Sequence, residues 1–395
     1  MASKFEGFDF YDMDSLLSEE ERMIRDTVRA WVEDRLMPII GDAYINHRMP
    51  KELIPEMGEL GLLGANLPEE YGCAGLNNVA YGLIMQELER GDSGIRSFAS
   101  VQGGLVMYPI NAWGSDEQKR TWLPKLASGE AVGCFGLTEP DFGSNPGGMI
   151  TRAEKTADGW ILNGAKMWIT NASMADISVV FAQTGALGDT SAIRGFLVPK
   201  GTPGFTAKNQ KGKLSLLASD TSEIVIEDVR VPDDALLPGT TGGLKHALMC
   251  LTQARYGIAW GAVGAAMACL HEALSYSKER VMFGGPIGGK QLQQARLAEM
   301  LTGITQGQLL VLQLGRLKDR GTMTPYQVSL AKRATVDMAC EVAREARRLL
   351  GANGILVEYH SMRHMANLES VYTYEGTHDI HSLILGHTLT GIPAY

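Results

Sequence analysis

The stretch DGWILNGAKMWIT, residues 158–170, decides the fold class of this 395-residue chain. It contains two strand-like runs, Gly159–Leu162 and Lys166–Thr170. The pair Asn163-Gly164 between them is a typical turn signal. Four further runs of this kind surround the stretch, at Cys134–Thr138, Ile177–Ala182, Gly195–Val198 and Glu223–Val229. No helical pattern of about 10–15 residues alternates with these runs, which argues against a Rossmann-type domain and favours a small antiparallel barrel or sandwich.

Helical patterns flank these strands on both sides. On the N-terminal side, Ser18 and Glu21 form a capping box, and Pro38 is expected to end the helix that follows. On the C-terminal side, three long patterns are typical of a helix bundle: Gly243–Arg280, Gln291–Arg320 and Pro325–Leu350. We therefore predict a multidomain α+β protein, with an N-terminal α-helical domain (residues 1–133), a middle β domain (134–240) and a C-terminal helical-bundle domain (241–395).

Composition and charge exclude several classes of protein. Apolar residues make up 45% of the chain and charged residues 21%, as in ordinary globular proteins. The formal net charge is −9, which is unfavourable for binding nucleic acid through its phosphates. The five cysteines are scattered and include no CxxC pair, so neither a disulfide framework nor a zinc ribbon is indicated. A reducing compartment is expected.

Neither membrane insertion nor secretion is indicated. The longest apolar stretch, Gly257–Leu270, is shorter than the roughly 20 residues of a membrane span. Because it is rich in Gly and Ala, we expect a tightly packed interior helix there. The N-terminal residues lack the pattern of a signal or transit peptide. This favours a bacterial cytoplasmic protein, and a processed protein of the mitochondrial matrix is the alternative.

Two pairs of histidines have the spacing of metal ligands on one helix face: His360 with His364, and His378 with His381. No HExxH is present and no carboxylate lies at a suitable offset, so we expect no metal. Surface or capping histidines are the simpler interpretation. The segment GGPIGGK, residues 284–290, has the spacing of a P-loop, but Gln291 stands where that motif needs Ser or Thr. We expect an ordinary loop between two helices.

Three segments suit catalysis or binding, and each has a simpler alternative. The loop GLTEPDFGSNPGG, residues 136–148, would offer backbone N–H groups to a pyrophosphate, but a plain glycine-rich connection explains it equally well. Glu375 lies among aromatic residues that would raise the pKa of its carboxyl toward that of a useful base. The alternative is a surface glutamate before a helix. Arg96 would bind a carboxylate in bidentate fashion, or form an internal ion pair with Glu89.

These three segments occur together in one family, because the sequence resembles the acyl-CoA dehydrogenases over essentially its whole length. Phe135–Ser144 resembles the family's flavin and pyrophosphate segment, and Trp168–Thr170 resembles the strand beside the flavin ring. The resemblance implies a middle β-barrel between two helical domains. It also implies FAD as the cofactor, bound at a subunit interface of a homotetramer. The FAD-binding residues that it implies are Phe135, Leu137, Thr138, Gly143, Ser144, Trp168, Ile169, Thr170, Arg280, Phe283, Gln291, Leu350, Gly351, Ala352, Thr377 and Asp379.

Within this family the sequence is similar to the glutaryl-CoA dehydrogenases. The similarity rests on YEGTHDIH around Glu375, on Arg96-Ser97, and on ARYGIAW, residues 254–260. It implies oxidation and decarboxylation of glutaryl-CoA to crotonyl-CoA and CO₂, a step in lysine and tryptophan degradation. Electrons would pass to an electron-transfer flavoprotein. Glu375 is implied as the catalytic base, and the implied substrate-binding residues are Glu89, Arg96, Ser97, Ser144, Arg255, Tyr374 and Gly376.

The resemblance also implies a mechanism. The backbone N–H of Glu375 and a flavin ribityl hydroxyl polarise the thioester carbonyl, Glu375 removes the α-proton, and hydride leaves the β-carbon for flavin N5. Arg96 holds the distal carboxylate, while Ser144 and Arg255 match positions that contact the CoA thioester. Asn145 departs from the family, which more often has Asp there, but nearby N–H groups remain and FAD binding is expected.

Other functions stay open at this stage. The nearest are a short-chain acyl-CoA dehydrogenase for monocarboxylic substrates and a glutaryl-CoA dehydrogenase that does not decarboxylate. More distant alternatives are a metal-dependent hydrolase built on the C-terminal histidines and a flavin-free scaffold with the same fold. Glu375 and the flavin segments argue against the scaffold.

Overall fold

The first helix begins at the predicted capping box. Ser18 Oγ accepts a hydrogen bond from the Glu21 N–H, and the Glu21 carboxylate accepts one from the Ser18 N–H. These and all further details come from a computed structural model that describes residues 5, 7 and 9–394. The N-terminal helices are α1 (Glu19–Trp31), α2 (Met37–Ile45), α3 (Ile54–Glu59), α4 (Asn78–Gly91), α5 (Ser93–Ser100), α6 (Tyr108–Trp113) and α7 (Asp116–Ser128).

Pro38 does not end the first helix, so that prediction is wrong. A π-helical turn, Val32–Leu36, joins α1 to α2, and the Met37 N–H donates to the Val32 carbonyl five residues before it. The extra residue in this turn moves the preceding carbonyl groups away from the ring of Pro38, which would clash with them in a regular α-helix. Pro38 then lies in the first turn of α2, where its missing N–H is tolerated.

The middle part is one curled β-sheet and not the closed antiparallel barrel that was expected. Its strands are β1 (Gly133–Gly136), β2 (Arg152–Thr156), β3 (Gly159–Thr170), β4 (Ile177–Gln183), β5 (Ile193–Pro199), β6 (Phe205–Asn209) and β7 (Thr221–Val231). The hydrogen-bonded order is β5-β4-β2-β3-β7-β6, and β1 pairs in parallel with β4. Among the described residues, the edge strands β5 and β6 do not pair with each other, so the sheet is open.

Helices complete the core of this sheet, which is why it does not need to close. Every residue of β4 is buried. Val179 and Phe181 pack in a cluster that includes Val106 and Ala254 from the helical parts. Val180 packs instead in a cluster within the curl of the sheet. Both faces of β4 are therefore covered, one by helices and one by the sheet itself.

Strand β3 contains both runs that the sequence separates at Asn163-Gly164. The register of β3 shifts between Leu162 and Gly164, and Gly164 has a φ of +149°, so this pair forms a β-bulge and not a turn. A Cβ on Gly164 would lie 2.5 Å from Thr151 Oγ1, which leaves room only for glycine. Strands β2 and β6 were not predicted because their sequences, RAEKT and FTAKN, are mostly polar.

Long helices form the C-terminal bundle, as predicted. The elements are α8 (Leu244–Glu279), the hairpin β8 (Val281–Met282) and β9 (Gly285–Pro286), α9 (Gln291–Asp319), α10 (Pro325–Leu349), α11 (Ser361–Thr373) and α12 (His378–Thr390). By length and composition α8 is apolar enough to cross a membrane, but 78% of its most apolar window is buried inside the protein. Helix α8 packs against α4 and α10, as expected for the interior helix predicted around Gly257–Leu270.

Two glycines bring α8 very close to α4. A Cβ on Gly261 would lie 2.0 Å from Glu89 Oε2, and a Cβ on Gly264 would lie 1.9 Å from the Gln86 carbonyl oxygen. Any larger residue at either position would force the two helices apart, because protein interiors are close-packed. The small residues of α8 therefore determine where α4 lies.

Candidate active site

A tight turn between α11 and α12, residues 374–376, carries the carboxylate that the sequence singles out. Thr377 follows it and caps α12 by accepting a hydrogen bond from a backbone N–H. Glu375 has a φ of +53° and Gly376 a φ of +94°. The left-handed conformation costs a non-glycine residue on the order of 1 kcal/mol. A Cβ on Gly376 would lie 2.9 Å from Arg255 Nη2, so the turn also needs glycine for space.

A buried lysine and a partly buried arginine hold the three carbonyl groups of this turn. Arg255 Nε donates to the Glu375 carbonyl oxygen at 2.6 Å. Lys332 Nζ donates to the carbonyl oxygens of Tyr374 and Gly376, at 2.5 and 2.6 Å. Hydrogen bonds from charged donors are stronger than neutral ones. These three bonds therefore stabilise a backbone conformation that the residues themselves do not favour.

Lys332 was not predicted from the sequence as a site residue. It lies on the buried face of α10, with Val328 and Val336 four residues away on either side. Burial lowers the pKa of Lys332 to about 7, and the nearby Glu375 carboxylate opposes that shift. Lysine is rarely buried unless it is paired, so a lysine within an apolar helical stripe is itself the sequence signal.

The Glu375 carboxyl group is suited to accept a proton. Its Oε2 atom is buried and has no hydrogen-bond partner within the described part of the chain. Burial raises the pKa of this carboxyl above its ordinary value, and the positive charges of Arg96, Lys332 and Arg255 limit the rise. A carboxylate whose pKa lies nearer neutrality is a better general base.

Arg96 is buried beside this turn and keeps one nitrogen free. Its Nε donates to Glu89 Oε2 at 2.5 Å, and its Nη2 donates to the Tyr374 hydroxyl, which also lies 3.3 Å from Ser97 Oγ. Among the described residues, Arg96 Nη1 and Glu89 Oε1 have no partner although both are buried. A buried N–H without a partner is costly, so Nη1 marks the position where an oxygen of a ligand would bind.

The predicted base and most of the predicted substrate residues thus form one cluster. It contains Glu89, Arg96, Ser97, Arg255, Tyr374, Glu375 and Gly376. Ser144 does not join it: this residue is exposed in the loop after β1, and its side chain makes no hydrogen bond to the cluster within residues 9–394. The cluster combines a proton acceptor with a buried site for an anion.

A second group of predicted residues meets where β1 lies beside β3. The Met167 N–H donates to the Thr138 carbonyl oxygen at 2.9 Å. This contact sets the segment 135–138 next to the segment 168–170. Both segments carry residues predicted to bind the cofactor, so they form a continuous surface at one end of the sheet.

Lys166 and Glu139 stabilise this contact, although neither was predicted to do so. The buried Lys166 Nζ donates to Glu139 Oε1 at 2.9 Å and to the Leu137 carbonyl oxygen at 3.1 Å. The Glu139 carboxylate also accepts hydrogen bonds from the N–H groups of Ile150 and Thr151. Burial lowers the pKa of Lys166 to about 8, and the Glu139 carboxylate opposes that shift. This ion pair therefore connects the start of the glycine-rich loop, at Leu137, with the residues just after its end, Ile150 and Thr151.

Trp168 exposes a large aromatic side chain on a strained backbone. It has a φ of +63°, it lies at a register shift between Lys166 and Ile169, and 62% of its surface is exposed. Thr138 and Thr170 lie close by, and their hydroxyl groups make no hydrogen bond within the described residues. An aromatic face with hydroxyl groups at its side suits a flat heterocyclic ring with a polar edge. The site therefore fits a flavin.

The other predicted cofactor residues lie elsewhere on the chain. Phe283, in the connection between α8 and α9, has a φ of +52° and is 91% exposed. Leu350 is buried, whereas most of these residues are exposed: Gly143, Arg280, Gln291, Gly351, Ala352 and Asp379. Between residues 9 and 394, no side-chain hydrogen bond joins any of them to Glu375 or Trp168.

Two of the four C-terminal histidines contradict the prediction that they lie at the surface or at caps, whereas His360 is the N-cap residue of α11, as predicted. His364 and His381 are fully buried. Burial, together with the positive charge of the nearby Lys332, lowers the pKa of His381 to about 3, so this ring is neutral at physiological pH. His378 stacks on the Tyr372 ring at a centroid distance of 4.5 Å. In the part of the chain that is described, no three His, Cys, Asp or Glu side chains lie close enough together to hold a metal ion.

Known proteins of one kind match the chain along its length. Family models for the N-terminal, middle and C-terminal domains of acyl-CoA dehydrogenases match residues 18–130, 134–229 and 241–390. The mitochondrial short-chain specific acyl-CoA dehydrogenase of Bos taurus is 38% identical over 94% of this chain and 91% of its own length.

Two solved structures are closer in sequence. A glutaryl-CoA dehydrogenase from Mycobacterium smegmatis is 57% identical, with a TM-score of 0.94 over 97% of each chain. A glutaryl-CoA dehydrogenase from the same organism, in complex with FADH2, is 51% identical, with a TM-score of 0.95 over 100% of each chain.

The buried pair of Arg96 and Glu89 leads to a prediction about stability. Arg96→Met is expected to destabilise the folded protein by about 3–5 kcal/mol, because the Glu89 carboxylate would stay buried without a cation. The double variant Arg96→Met/Glu89→Gln removes both charges and is expected to recover most of that loss. Urea unfolding followed by circular dichroism, at one protein concentration, measures the midpoints.

Arg48→Met is the matched control for this comparison. Arg48 and Glu52 form an ion pair at 2.6 Å in which both side chains are exposed to solvent. Losing such a pair costs less than about 1 kcal/mol. If Arg96→Met unfolded at the same urea concentration as the double variant, the buried charge would not be the source of the instability.

Proposed function

The chain belongs to the acyl-CoA dehydrogenase family, and on that premise we propose that it oxidises glutaryl-CoA with FAD and releases CO₂ to form crotonyl-CoA. One observation carries the choice of substrate: Arg96 Nη1 is buried and has no partner in the described chain. The distal carboxylate of a glutaryl group would accept a hydrogen bond from this nitrogen. An acyl chain that ends in a methyl group would leave it unpaired, at a cost of about 1–3 kcal/mol.

The relatives support this choice to different degrees. Both mycobacterial structures are described as glutaryl-CoA dehydrogenases and share more than half of the residues of this chain. The bovine relative is described as specific for short chains and is less similar. A short-chain acyl-CoA dehydrogenase is therefore the alternative function, and a glutaryl-CoA dehydrogenase that stops before decarboxylation is a second one.

In the oxidation step, Arg96 and Glu375 have separate roles. Arg96 binds the distal carboxylate and so holds the α-carbon near Glu375. The Glu375 N–H, which makes no hydrogen bond within the described chain, donates to the thioester carbonyl oxygen, where negative charge develops. The Glu375 carboxylate removes the α-proton. FAD, when bound, accepts the hydride that leaves the β-carbon.

Decarboxylation uses the double bond that the oxidation creates. In glutaconyl-CoA the bond between the γ-carbon and the carboxylate breaks, and its electron pair moves into the conjugated thioester. The Glu375 N–H stabilises the same carbonyl oxygen in this dienolate. Glu375, now protonated, returns its proton to the γ-carbon and crotonyl-CoA forms.

The flavin and the partner proteins belong to the same proposal. Residues of β1 and β3 around Trp168 would bind the flavin ring, and reduced FAD would deliver its electrons to an electron-transfer flavoprotein. The β8–β9 hairpin exposes Val281, Met282 and Phe283, at 63%, 44% and 91%. Such an apolar protrusion suits contact with a second copy of the chain. It would bring Arg280 and Gln291 to the FAD of a neighbouring subunit in a homotetramer.

Anaerobic addition of glutaryl-CoA to the purified yellow protein tests the function. We expect the visible flavin band to bleach, with release of CO₂ and formation of crotonyl-CoA. Absorbance spectra, a CO₂ trap and mass spectrometry of the acyl-CoA measure the three events. Bleaching without CO₂ would support the non-decarboxylating alternative. Bleaching with butyryl-CoA alone would support the short-chain enzyme and contradict the proposed substrate.

The role of Arg96 predicts a change of substrate preference. In Arg96→Met/Glu89→Gln, kcat/KM for glutaryl-CoA is expected to fall about 100-fold, because one charged contact to the distal carboxylate is lost. For butyryl-CoA, which has no distal carboxylate, a change within about 3-fold is expected. Glu89→Gln alone keeps the guanidinium and is the control. Equal losses on both substrates would contradict the assignment of Arg96.

The raised pKa of Glu375 predicts the pH dependence of the reaction. Activity requires the carboxylate, so kcat/KM for butyryl-CoA is expected to fall as pH decreases through a pKa above the ordinary value of 4.5. Glu375→Gln is expected to stay yellow and to lose activity by about 1,000-fold or more. Glu369→Gln, an exposed glutamate on α11, is the control and should keep the wild-type profile. An active Glu375→Gln enzyme would exclude Glu375 as the base.

A further inference from the structure

Lys332 makes contacts that no part of the proposed chemistry uses. Its side chain is buried, and its ammonium group donates to the carbonyl oxygens of Tyr374 and Gly376, the two residues on either side of Glu375. It reaches the turn from α10, whereas Arg255 reaches the Glu375 carbonyl from α8. Two helices thus hold one short turn from different sides.

These bonds determine the direction of the N–H groups in the turn. All described peptide bonds are trans, so the N–H of each peptide points away from its carbonyl. The carbonyl of Tyr374 points at Lys332, and the N–H of Glu375 belongs to the same peptide plane. This N–H therefore points away from Lys332, and it is free of any partner within the described chain.

We propose that Lys332 is a positioning residue that aims the Glu375 N–H at the thioester oxygen of the substrate. The proposal rests on the function proposed above, in which that N–H stabilises the enolate. A donor helps only if it lies close to the position that the charged oxygen will take. Lys332 fixes the direction of the Glu375 N–H, because the peptide between Tyr374 and Glu375 cannot rotate without breaking the hydrogen bond from Lys332 to the Tyr374 carbonyl.

The same bonds counter the strain of the turn. Glu375 has a left-handed backbone that its side chain disfavours, and without Lys332 only the bond from Arg255 would oppose its relaxation toward negative φ. Relaxation would turn the N–H out of the site while leaving the binding of the distal end of the substrate unchanged. The hydrogen bond from a cation to the Tyr374 carbonyl also polarises that peptide and strengthens its N–H as a donor.

Lys332→Met tests the proposal, because methionine fills similar space and donates no hydrogen bond. The probe is a butyryl-CoA analogue in which sulfur replaces the β-methylene: it can lose its α-proton but has no β-hydrogen to transfer. In D₂O the exchange of its α-protons, followed by NMR, is expected to slow about 30-fold, with binding changed less than about 3-fold. Lys332→Gln, which keeps one donor, is expected to show a smaller loss.

A vibrational measurement separates positioning from general damage to the fold. The thioester of the bound analogue, labelled with carbon-13, should show a carbonyl stretch shifted to lower frequency in wild-type protein by the Glu375 N–H. In Lys332→Met most of that shift is expected to disappear. Arg333→Met is the matched control: Arg333 lies next to Lys332 on α10 but donates to Ser382 on α12, and both readouts should stay at the wild-type level.

The outcomes distinguish this inference from the proposed function. A full carbonyl shift and wild-type exchange in Lys332→Met would overturn the role of Lys332. So would weaker binding of the analogue with an unchanged exchange rate, since that pattern indicates a structural role only. If the wild-type protein exchanges the α-protons but does not bleach with glutaryl-CoA, the proposed substrate fails while the role of Lys332 is still tested, because the probe has no distal carboxylate.

Discussion

The contact between α4 and α8 fixes the positions of most groups in the active site. Gly261 and Gly264 allow the two helices to approach until Glu89 lies against the backbone of α8. Glu89 then orients Arg96, and Arg255, from an earlier turn of α8, holds the carbonyl of Glu375. A buried ion pair adds little net stability, because desolvation offsets its attraction. Its contribution here is geometric, because it fixes the position of the Arg96 guanidinium relative to Glu375.

The charges around Glu375 are not balanced within the chain. Arg96, Arg255 and Lys332 face the carboxylates of Glu89 and Glu375, so one positive charge is in excess when Lys332 is protonated. A carboxylate on the substrate would neutralise the site on binding, which agrees with a dicarboxylic acyl group. The same cations oppose the effect of burial on Glu375. Under the proposed function, the number of these cations would therefore affect both the choice of substrate and the strength of Glu375 as a base.

The sequence predicts what depends on local patterns and misses what depends on distant contacts. The capping box at Ser18 and the three long C-terminal helices follow from local spacing and are confirmed. The turn assigned to Asn163-Gly164 is wrong, because the bulge there exists only through pairing of β3 with β7. The resemblance of their motifs to a known family identified Glu375 and Arg96. Lys332 was missed because it lies 43 positions before Glu375 and reaches the turn only in the folded structure.

Trp168 and the β8–β9 hairpin together have a consequence for how the protein matures. On a single chain the indole of Trp168 and the side chain of Phe283 are exposed, and both are large apolar groups. A ligand or partner that covers them only in the folded state stabilises that state by mass action, and the stabilisation grows with the logarithm of its free concentration relative to its dissociation constant. If FAD covers Trp168 and a second copy of the chain covers Phe283, as proposed above, heat resistance would rise with the supply of cofactor and with the concentration of the chain. A cell short of riboflavin would be expected to lose this protein to proteolysis before it loses the activity of each remaining molecule.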